Sequence, residues 1–499
     1  MKLIDLIKSL NEKKVIDPHH QAAHILIHQV TTDSKVATSQ SIFVAIRGFS
    51  IDGHSFLEQA IENGARVLVV ETPLPETCGA VQVVVPNTRK ALSILASKIF
   101  LEPSQKLTLI GITGTNCKTT ISYLIEAVLK ETQKKPGVIG TVNYRYLDQV
   151  FPAPNTTPDA LAFQGQLSQM LKAGVTHVIS EVSSHGLKLL RTDESQFDIA
   201  LFTNLTQDHL DFHPDLEDYF QSKKRLFIPL LKESRKPVKK AIINVDDAYG
   251  QKLFTQISNE VPCWTFSLEK ETADFYVNSK SFSHQGIRAN IFTPQGGLWI
   301  QSNLIGAHNL SNILGAIAAC QALGIENSKI EAGLRALKGV PGRLEKVDAG
   351  QDFLVLVDYA HTDDALKNVG QALLALKQNR IITVFGCGGD RDTKKRPLMA
   401  RAAESFSDVV IVTSDNPRTE DPEKIIQDIQ KGLSGQKETH IEIDRAKAIF
   451  KAIEMAKTND IILIAGKGHE DYQILGKTKI HFDDTEIARE CICLQQKTS

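Results

Sequence analysis

The sequence lacks the long apolar runs and the charge excess that would indicate a membrane or a nucleic acid as a partner. Its 499 residues contain no apolar stretch of the roughly 18 residues that a membrane helix needs. Lys and Arg (57) balance Asp and Glu (58), so the net charge of −1 gives no general attraction to polyanions. The opening MKLIDLIKSLNEKK has no signal-peptide core. We therefore expect a mature cytoplasmic protein without a membrane span or a nucleic-acid partner.

Cysteine is scarce and scattered. Seven cysteines occur, and the close pair Cys491 and Cys493 has no second pair with which to form a metal site. This usage is typical of free thiols in a reducing compartment. Internal repeats, heptads and low-complexity segments are absent as well. At 499 residues the chain is too long for one core, and we expect two to four domains.

The apolar pattern predicts an α/β protein of three domains. Residues 1–105 alternate short apolar runs (SIFVAI, ARVLVV, VQVVV) with helical patterns, which predicts a small N-terminal α/β domain. Residues 106–340 contain the strands LTLIGIT, VTHVISEV, FDIALFTNL and KKAIINV, which are apolar throughout, as buried parallel strands are. Around 270–304 the residues alternate, which predicts a small antiparallel excursion.

Residues 341–499 predict a C-terminal Rossmann-like α/β domain. Its strands FLVLVDYAH, RIITVFGCGG, DVVIVTSDN and DIILIAGKGHE each end in small or polar residues. In a doubly wound sheet, ligands bind beyond the carboxyl ends of the strands. These ends are therefore candidate binding loops.

The stretch GITGTNCKTT, residues 111–120, predicts a phosphate-binding loop and makes the central domain P-loop ATPase-like. It lies between the strand LTLIGIT and the helical pattern KTTISYLIEAVLK, where loop amides and a helix N-terminus present N–H groups to an anion. Lys118 is expected to reach the terminal phosphates, and the Thr119 hydroxyl to bind Mg²⁺. The alternative is a tight turn with a chance lysine. The predicted nucleotide-binding residues are Gly114, Thr115, Asn116, Cys117, Lys118, Thr119 and Thr120.

Cys117 stands where G-x-x-x-x-G-K-[ST] has its second glycine. A β-carbon there costs about 1–2 kcal/mol if the backbone is left-handed. We expect weaker nucleotide binding rather than none. Its position beside Lys118 at a helix N-terminus favours a reactive thiol, and the alternative is a loop that relaxes with no other effect.

The loop GTN-x-KTT resembles that of the Mur ligases, and further segments follow in the order of that family. They are NTTPD (155–159), EVSSHGL (181–187), DHLDFH (208–213), GAHNLSN (306–312), GRLE (342–345), VDYAH (357–361), GCGGDRD (386–392), DNPR (415–418) and GKGHE (466–470). The resemblance spans nearly the whole chain. It implies three domains, for a UDP sugar, for ATP and for an incoming amino acid. It also implies an amide ligase that works through an acyl phosphate and a tetrahedral intermediate.

The resemblance implies a Mg²⁺ site and a set of catalytic residues. The implied metal ligands are Thr119, Glu181, His209 and Lys223, the last as a carbamate derived from CO₂. The family pattern Tyr-x-x-x-Lys begins at Tyr219, and the adjacent Lys224 is the competing assignment. The implied catalytic residues are Lys118, Glu181, His209, Lys223 and His361.

By the same resemblance, later segments contact ATP. The implied residues are His308, Asn309, Arg343 and Asp358, and Asn309 is expected to contact the adenine. Helix capping by asparagine is a compatible alternative. Lys395 and Arg396 match a basic run of the family.

The implied sugar substrate is UDP-N-acetylmuramoyl-L-alanyl-D-glutamate. The positions that match its contacts are Ser34, Asn155, Thr156, Thr157, Ser183 and Arg191. Phe49-Ser50-Ile51 and Leu189 depart from the family pattern, so those contacts are in question.

The segment DNPR bears on the incoming amino acid. Arg418 offers a bidentate guanidinium that suits a side-chain carboxylate, which meso-diaminopimelate has and lysine lacks. The resemblance associates DNPR with diaminopimelate. The expected binding residues are Arg391, Asp415, Asn416, Pro417, Arg418, Gly466 and Glu470. The alternative is that Arg418 only closes a turn.

Three other functions stay open from the sequence. One is an amide ligase of the same fold, such as a folylpolyglutamate synthetase, although 105 residues precede the loop here. Another is a relative that adds a different third amino acid. The third is a catalytically weak nucleotide-binding protein, because of Cys117. We expect a monomer.

Overall fold

The computed structural model describes residues 1–75, 78–209 and 211–498, so Leu210 of the DHLDFH segment lies outside the described residues. The chain is mixed α/β and forms two compact units, Met1–Phe275 with Gly315–Lys329 and Tyr276–Leu314 with Ile330–Ser499. Among the helices of the described residues, none combines the length and apolarity that a bilayer-crossing segment requires.

The first unit begins with a mostly parallel sheet. Its elements are α1 (Leu3–Ile7), β1 (Lys14–Ile16), β2 (Gln29–Thr31), β3 (Ser41–Val44), α2 (Leu57–Glu62), β4 (Val67–Val70), β5 (Val81–Val84) and α3 (Thr88–Ile99). The strands are ordered β1-β5-β4-β3-β2, and β1 is antiparallel to its neighbour. The predicted strands SIFVAI, ARVLVV and VQVVV are confirmed. The core of this sheet is apolar on both faces.

The same unit continues with a second sheet. Its elements are β6 (Thr108–Thr113), α4 (Lys118–Glu131), β7 (Pro136–Ile139), β8 (Asn143–Tyr146), β9 (Gln149–Pro152), α5 (Ala160–Lys172), β10 (His177–Glu181), α6 (Ser184–Lys188), β11 (Ile199–Phe202), α7 (Leu216–Lys224), β12 (Lys240–Asn244), α8 (Ala248–Ile257) and β13 (Cys263–Ser267). Strands β13-β12-β11-β6-β10-β7 run parallel in that order, and β8 and β9 add an antiparallel hairpin. The predicted buried parallel strands are confirmed. Because the carboxyl ends of β6, β10 and β11 share one edge, the segments after them lie together.

The second unit contains an antiparallel group and a parallel sheet. The elements that follow β13 are β14 (Phe275–Ser283), β15 (Gly286–Phe292), β16 (Leu298–Ser302), α9 (Ala307–Ala322), α10 (Asn327–Ala336), β17 (Glu345–Val347), β18 (Leu354–Asp358), α11 (Asp363–Leu374), β19 (Ile381–Phe385), α12 (Lys395–Phe406), β20 (Val409–Val412), α13 (Pro422–Gln430), β21 (Glu438–Ile441), α14 (Arg445–Glu454), β22 (Ile461–Ala465), β23 (Tyr472–Leu475), β24 (Thr478–His481) and α15 (Asp484–Thr498). The antiparallel pairing of β14, β15 and β16 confirms the predicted excursion. The other sheet is ordered β17-β18-β22-β19-β20-β21, parallel except for β17. The segments after β19, β20 and β22 therefore share one edge.

Candidate active site

The phosphate-loop segment follows β6 and is tied to the end of β11. A β-carbon at Gly114 would lie 1.8 Å from Thr203 Oγ1, so only glycine fits there. The backbone N–H groups of Thr115 and Asn116 donate to the carbonyl and the side-chain oxygen of Asn204, each at 2.9 Å. The loop is thereby held by the residues that directly follow β11, which are distant from it in sequence.

Cys117 is the N-cap of α4 and has a left-handed backbone, with φ 76° and ψ −13°. The conformation that glycine would adopt freely is therefore retained with a β-carbon in place, at a cost of about 1–2 kcal/mol. The Asn204 side-chain amide donates to Cys117 Sγ at 3.7 Å. Enhanced reactivity of this thiol stays a prediction.

Two lysines converge on the carbonyl oxygens of this loop. Lys118 Nζ donates to Gly114 O at 2.9 Å and to Thr115 O at 2.8 Å. Lys223 Nζ, from α7, also donates to Gly114 O, at 2.8 Å. Burial, and then the charge of Lys118, hold the pKa of Lys223 well below its usual value. The lowered pKa favours the neutral, nucleophilic amine over the ammonium form.

The neighbouring lysine has a different environment. Lys224 is half-buried, and its Nζ donates to Gln256 Oε1 at 2.8 Å. Lys223, by contrast, is 1% exposed and lies 4.3 Å from the centroid of the Tyr219 ring. The contact with the loop therefore favours Lys223 over Lys224 as the residue to be modified.

Glu181 ends β10 and places a buried carboxylate beside the first turn of α4. Its Oε2 accepts hydrogen bonds from Thr119 Oγ1 at 3.0 Å and from Thr141 Oγ1 at 2.8 Å. Its Oε1 accepts from the Thr141 N–H at 3.0 Å. A β-carbon at Gly140 would lie 2.4 Å from Oε1, so this glycine leaves room for the carboxylate. The paired hydroxyl and carboxylate oxygens are the ligand type that Mg²⁺ prefers.

His209 follows β11 and has an exposed side chain with a left-handed backbone, φ 54°. Its ring lies 5.0 Å from that of His185 and 6.0 Å from that of Tyr219, centroid to centroid. Within the described part of the chain, no group of three His, Cys, Asp or Glu side chains could hold a metal ion. The implied ligand set also includes a threonine hydroxyl and a modified lysine, and it stays a prediction.

The NTTPD and EVSSHGL segments place further hydroxyl groups beside Glu181. Thr156 Oγ1 lies 3.0 Å from Thr141 Oγ1, and Thr157 Oγ1 donates to the Glu181 carbonyl at 2.9 Å. The Ser183 N–H donates to Thr157 Oγ1 at 2.9 Å. Arg191 Nη1 donates to Thr157 O at 2.8 Å. Four of the predicted sugar-site residues therefore lie on the side of the Glu181 carboxylate: Thr156, Thr157, Ser183 and Arg191.

The other two predicted sugar-site residues have separate surroundings. Asn155 is exposed, and its carbonyl oxygen accepts from the Tyr144 hydroxyl at 2.6 Å. Ser34 is 6% exposed, and its hydroxyl donates to Gln59 Oε1 at 2.6 Å. The hydroxyl of Ser34 already has an internal partner, and its role toward a nucleotide stays a prediction.

The predicted adenine residues begin α9. Asn309 is 2% exposed, and its amide donates to Ile305 O at 2.8 Å while its Oδ1 accepts from Asn312 Nδ2 at 2.9 Å. Burial lowers the pKa of His308 to about 4, so this ring is neutral near pH 7. Both bonds join Asn309 to a carbonyl or a side chain rather than to a free N–H group of the first helical turn, so they are not helix caps. The contact of Asn309 with adenine stays a prediction.

Arg343, Asp358 and His361 are grouped around Tyr359. Asp358 accepts N–H hydrogen bonds from the loop backbone, and burial raises its pKa. The Arg343 guanidinium carbon lies 4.9 Å from the Tyr359 ring centroid, and its buried Nε has no hydrogen-bond partner among the described residues. His361 is exposed, and its Nδ1 lies 2.9 Å from Tyr359 O. An unpartnered guanidinium nitrogen in this position is available to an anion.

The DNPR segment follows β20 and packs against the residues after β22. Asn416 Nδ2 donates to Glu470 Oε2 at 2.8 Å. Burial, and the nearby Asp415, raise the pKa of Glu470. A β-carbon at Gly466 would lie 2.8 Å from Asp415 Oδ2, so this glycine gives the carboxylate space. The pair of carboxylates suits an ammonium group.

The two predicted carboxylate-binding arginines are neighbours. Arg418 is half-buried with a left-handed backbone, φ 53°, and its Nη1 donates to Gly389 O at 2.8 Å. A β-carbon at Gly388 would lie 3.0 Å from that Nη1 and 3.8 Å from Arg391 Cγ. A β-carbon at Gly389 would meet Pro417 O at 1.9 Å, so the two loops touch through their backbones.

A buried ion pair that the sequence did not indicate lies beneath the loops that follow β20 and β22. Arg445 and Asp484 have side chains with 0% exposure and join at 2.6 Å. The guanidinium also donates to the carbonyls of Ala465 at 3.1 Å and Ser414 at 3.4 Å, which end β22 and follow β20. The 39-residue separation in sequence left no local signal for this pair. It fixes the strand ends from which the candidate binding residues extend.

The basic run at Lys395 and Arg396 has a structural component. Arg396 is 1% exposed and pairs with Glu420 at 2.8 Å and with Asp428 at 3.0 Å. Lys395 Nζ donates to His361 O at 3.0 Å. Arg396 therefore stabilises the fold, whereas Lys395 lies beside a predicted site residue.

Comparison with known proteins identifies related sequences and structures. Three family models match: "Mur ligase family, catalytic domain" at residues 26–99, "Mur ligase middle domain" at 112–320 and "Mur ligase, glutamate ligase domain" at 342–468. A protein named UDP-N-acetylmuramoyl-L-alanyl-D-glutamate–2,6-diaminopimelate ligase from Gloeobacter violaceus is 46% identical, with 93% of each chain covered. One of the same name from Clostridioides difficile is 42% identical, with 99% of each chain covered. A solved structure of that title superposes with a TM-score of 0.74 at 34% identity, covering 99% of each chain.

Proposed function

The chain belongs to the Mur ligase family, and we propose that it joins meso-2,6-diaminopimelate to UDP-N-acetylmuramoyl-L-alanyl-D-glutamate with ATP. The products are the UDP-muramoyl tripeptide, ADP and phosphate, in peptidoglycan precursor synthesis. The single observation that carries the proposal is the hydrogen bond of 3.0 Å between Thr119 Oγ1 and Glu181 Oε2. It joins the phosphate loop to a buried carboxylate beside the hydroxyl groups of the predicted sugar site.

The reaction has two chemical steps. A glutamyl carboxylate attacks the γ-phosphorus of ATP, which gives an acyl phosphate and ADP. The amine of the amino acid then adds to the acyl carbon, and the tetrahedral intermediate expels phosphate as the amide forms. Negative charge builds up on phosphoryl oxygens in both steps, so fixed cations and N–H groups should dominate the stabilisation. Lys118 and the N–H groups at the start of α4 supply them.

The residues at the loop fit a bound Mg²⁺. Thr119 and Glu181 present hydroxyl and carboxylate oxygens, and His209 is a further candidate ligand. When bound, Mg²⁺ neutralises phosphate charge and polarises the phosphoryl group. Before any ion binds, the Thr119 hydroxyl and both Thr141 donors hold the Glu181 carboxylate in one orientation.

Carbamylation of Lys223 is part of the proposal. Its buried amine has a lowered pKa, and only the neutral amine adds to CO₂. The product is a carboxylate-like anion, which would place a negative charge beside the Lys118 ammonium. This charge complementarity supports the assignment to Lys223.

The amino-acid site is proposed around the DNPR segment. Arg418 and Arg391 would receive a carboxylate, while Glu470 and the Gly466 carbonyl would receive the distant ammonium. Asp415, Asn416 and Pro417 shape the loop that carries Arg418. The half-buried position of Arg418 and its contact with Gly389 support this division of roles.

The remaining parts of the proposal concern organisation. We propose domain boundaries at 105/106 and 340/341, a monomer, and a cytoplasmic location where ATP and UDP sugars are available. The names of the relatives favour diaminopimelate over a different third amino acid. Their coverage of the region before the phosphate loop disfavours a folylpolyglutamate synthetase.

Phosphate release is the test. The protein is mixed with ATP, Mg²⁺, UDP-muramoyl dipeptide and either meso-diaminopimelate or L-lysine. We expect release only when all substrates are present, with diaminopimelate far above lysine. Release without the UDP sugar, or with lysine alone, would contradict the proposal. Binding of ATP without any turnover would instead support the catalytically weak relative.

A further inference from the structure

Arg89 lies beside the predicted sugar site, although nothing in the sequence pattern indicated it. It is in the first turn of α3, is half-buried, and its Nη2 donates to Arg47 O at 2.6 Å. One turn later on the same helix face, Ser93 Oγ donates to Leu190 O at 2.5 Å. Helix α3 therefore presents Arg89 toward the chain that leads into Arg191.

The packing of α3 fixes this arrangement. Ala91, Leu92 and Leu95 of α3 share one apolar cluster with Ala160, the first residue of α5. Helix α5 begins directly after the NTTPD segment, whose Thr157 carbonyl accepts from Arg191 Nη1 at 2.8 Å. The first turn of α3 and the sugar-site hydroxyls are therefore held together by a buried contact.

Arg89 and Arg191 are a pair of like charges without ion-pair partners among the described carboxylates. The acidic groups that act on them have other partners. Glu71, on the side of Arg89, pairs with Arg47 at 3.2 Å and accepts hydrogen bonds from Thr88. Asp159, on the side of Arg191, accepts from two N–H groups of the first turn of α5. Burial lowers the pKa of both guanidiniums, and the charge of Arg191 lowers that of Arg89 further. Two partly desolvated cations repel each other, and an anion between them would stabilise both.

We propose that Arg89 is a second anion-binding residue of the sugar site and that it holds, with Arg191, an anionic group of the UDP-muramoyl dipeptide. That group is the diphosphate or the glutamyl carboxylate that does not react. This inference rests on the proposed function. Phe49, 78% exposed, lies beside Arg89, with its ring centroid 6.0 Å from the Arg89 guanidinium carbon and 5.6 Å from the Phe212 ring centroid.

Steady-state kinetics of Arg89→Ala test the inference. We expect the KM for UDP-muramoyl dipeptide to rise about 10- to 100-fold, as for a lost charged hydrogen bond. The KM values for ATP and diaminopimelate should stay within about twofold, because no other substrate contact changes. Arg89→Lys should recover part of the loss. Lys90→Ala is the matched control, since Lys90 is the exposed next cation on the same helix, and it should behave as wild type.

Binding of three ligands separates the two possible anions. UDP, UDP-muramoyl-L-alanine and UDP-muramoyl-L-alanyl-D-glutamate are titrated into wild type and Arg89→Ala. Equal loss of affinity for all three assigns Arg89 to the diphosphate, and loss for the third alone assigns it to the carboxylate. Unchanged affinity for all three overturns the inference.

The outcomes also distinguish this inference from the proposed function. A wild type that does not turn over the UDP-muramoyl dipeptide contradicts the proposed function, whatever Arg89 does. An active wild type with an Arg89→Ala variant of equal KM contradicts only the role of Arg89. If Arg89→Ala fails to fold, as judged by lost ATP binding, Arg89→Gln is measured in its place with the same expectations.

Discussion

Lys118 and Lys223 donate to the same carbonyl oxygen, that of Gly114, at 2.9 and 2.8 Å. Burial, and then repulsion by the charge of Lys118, lower the pKa of Lys223. Loss of a proton from Lys223, or its proposed carbamylation, would remove this repulsion. This relationship leads to the first prediction.

Lys223→Ala should be nearly inactive, because it removes the proposed carbamate. Added formate or acetate should restore part of the phosphate release by replacing the missing anion. Lys224→Ala is the matched control and should keep its activity, since its Nζ donates to Gln256 rather than to the loop. Electron density for an unmodified ammonium at Lys223, in crystals grown with bicarbonate and Mg²⁺, would count against carbamylation.

The backbone of Cys117 leads to the second prediction. With φ at 76°, Cys117→Gly relieves left-handed strain of about 1–2 kcal/mol, partly offset by greater freedom of the unfolded chain. Turnover and ATP affinity should be equal to wild type or better. Cys117→Ala keeps the strain without the thiol and should match wild type. A more than tenfold loss of turnover in both variants would show that the thiol has a positive role.

The sequence predicted some features of the phosphate loop and not others. The strand-loop-helix order, the lysine and the threonine were predictable, because local pattern and chemistry determine them. The sequence indicated what a left-handed backbone at Cys117 would cost, but it did not indicate whether the backbone is left-handed. The room that Gly140 gives to the Glu181 carboxylate could not be foreseen, because β7 and β10 are adjacent only after the sheet has formed.

At the proposed amino-acid site, too, the sequence predicted some features and not others. The polar strand ends and the arginine of DNPR were predictable from position and residue type. The Arg445–Asp484 pair was not, because a 39-residue separation carries no periodic signal. Arg396 matched a family run but is used to pair with Glu420 and Asp428. The surroundings of a charged residue in the structure, rather than its place in a motif, therefore show whether it is free to bind a ligand or stabilises the fold.

The third prediction concerns Gly140. In Gly140→Ala the new β-carbon would lie 2.4 Å from Glu181 Oε1, so the carboxylate has to move. Displacement of a catalytic group by about 1 Å can lower kcat about 100-fold. Gly339→Ala is the control, because a β-carbon there meets no atom within 4 Å. Equal kcat for the two variants and wild type would show that the position of Glu181 is not critical.

The fourth prediction concerns pH and stability at His177, which begins β10 and is 8% exposed. Burial lowers its pKa to about 4 from 6.5, so the unfolded chain binds a proton between these values and the folded chain does not. Stability is therefore lost as the pH falls from 6.5 to 4, by about 3 kcal/mol for this residue.

Urea unfolding of His177→Gln between pH 7 and 4 measures this contribution. The variant should lose less stability than wild type over the range, although other buried histidines continue to titrate. His28→Gln, at an exposed position, should follow the wild-type curve. Parallel curves for wild type and His177→Gln would contradict the effect of burial on this ring.

The last prediction concerns Arg418, which we propose to select the incoming amino acid. Wild type should use meso-diaminopimelate and barely use lysine, because lysine leaves the guanidinium without a carboxylate. An unpaired charged partner costs roughly 2–5 kcal/mol when buried. Arg418 is half-buried, so the lower part of that range applies, and kcat/KM for diaminopimelate is expected to exceed that for lysine about 30-fold.

Arg418→Ala should lose most diaminopimelate activity, mainly through KM, with a smaller fall in kcat. The backbone gives no separate effect, since alanine and arginine are strained alike at φ 53°. Arg401→Ala, at an exposed position on α12, is the control. Equal use of the two amino acids by wild type, or an undiminished Arg418→Ala, would remove Arg418 from the specificity site.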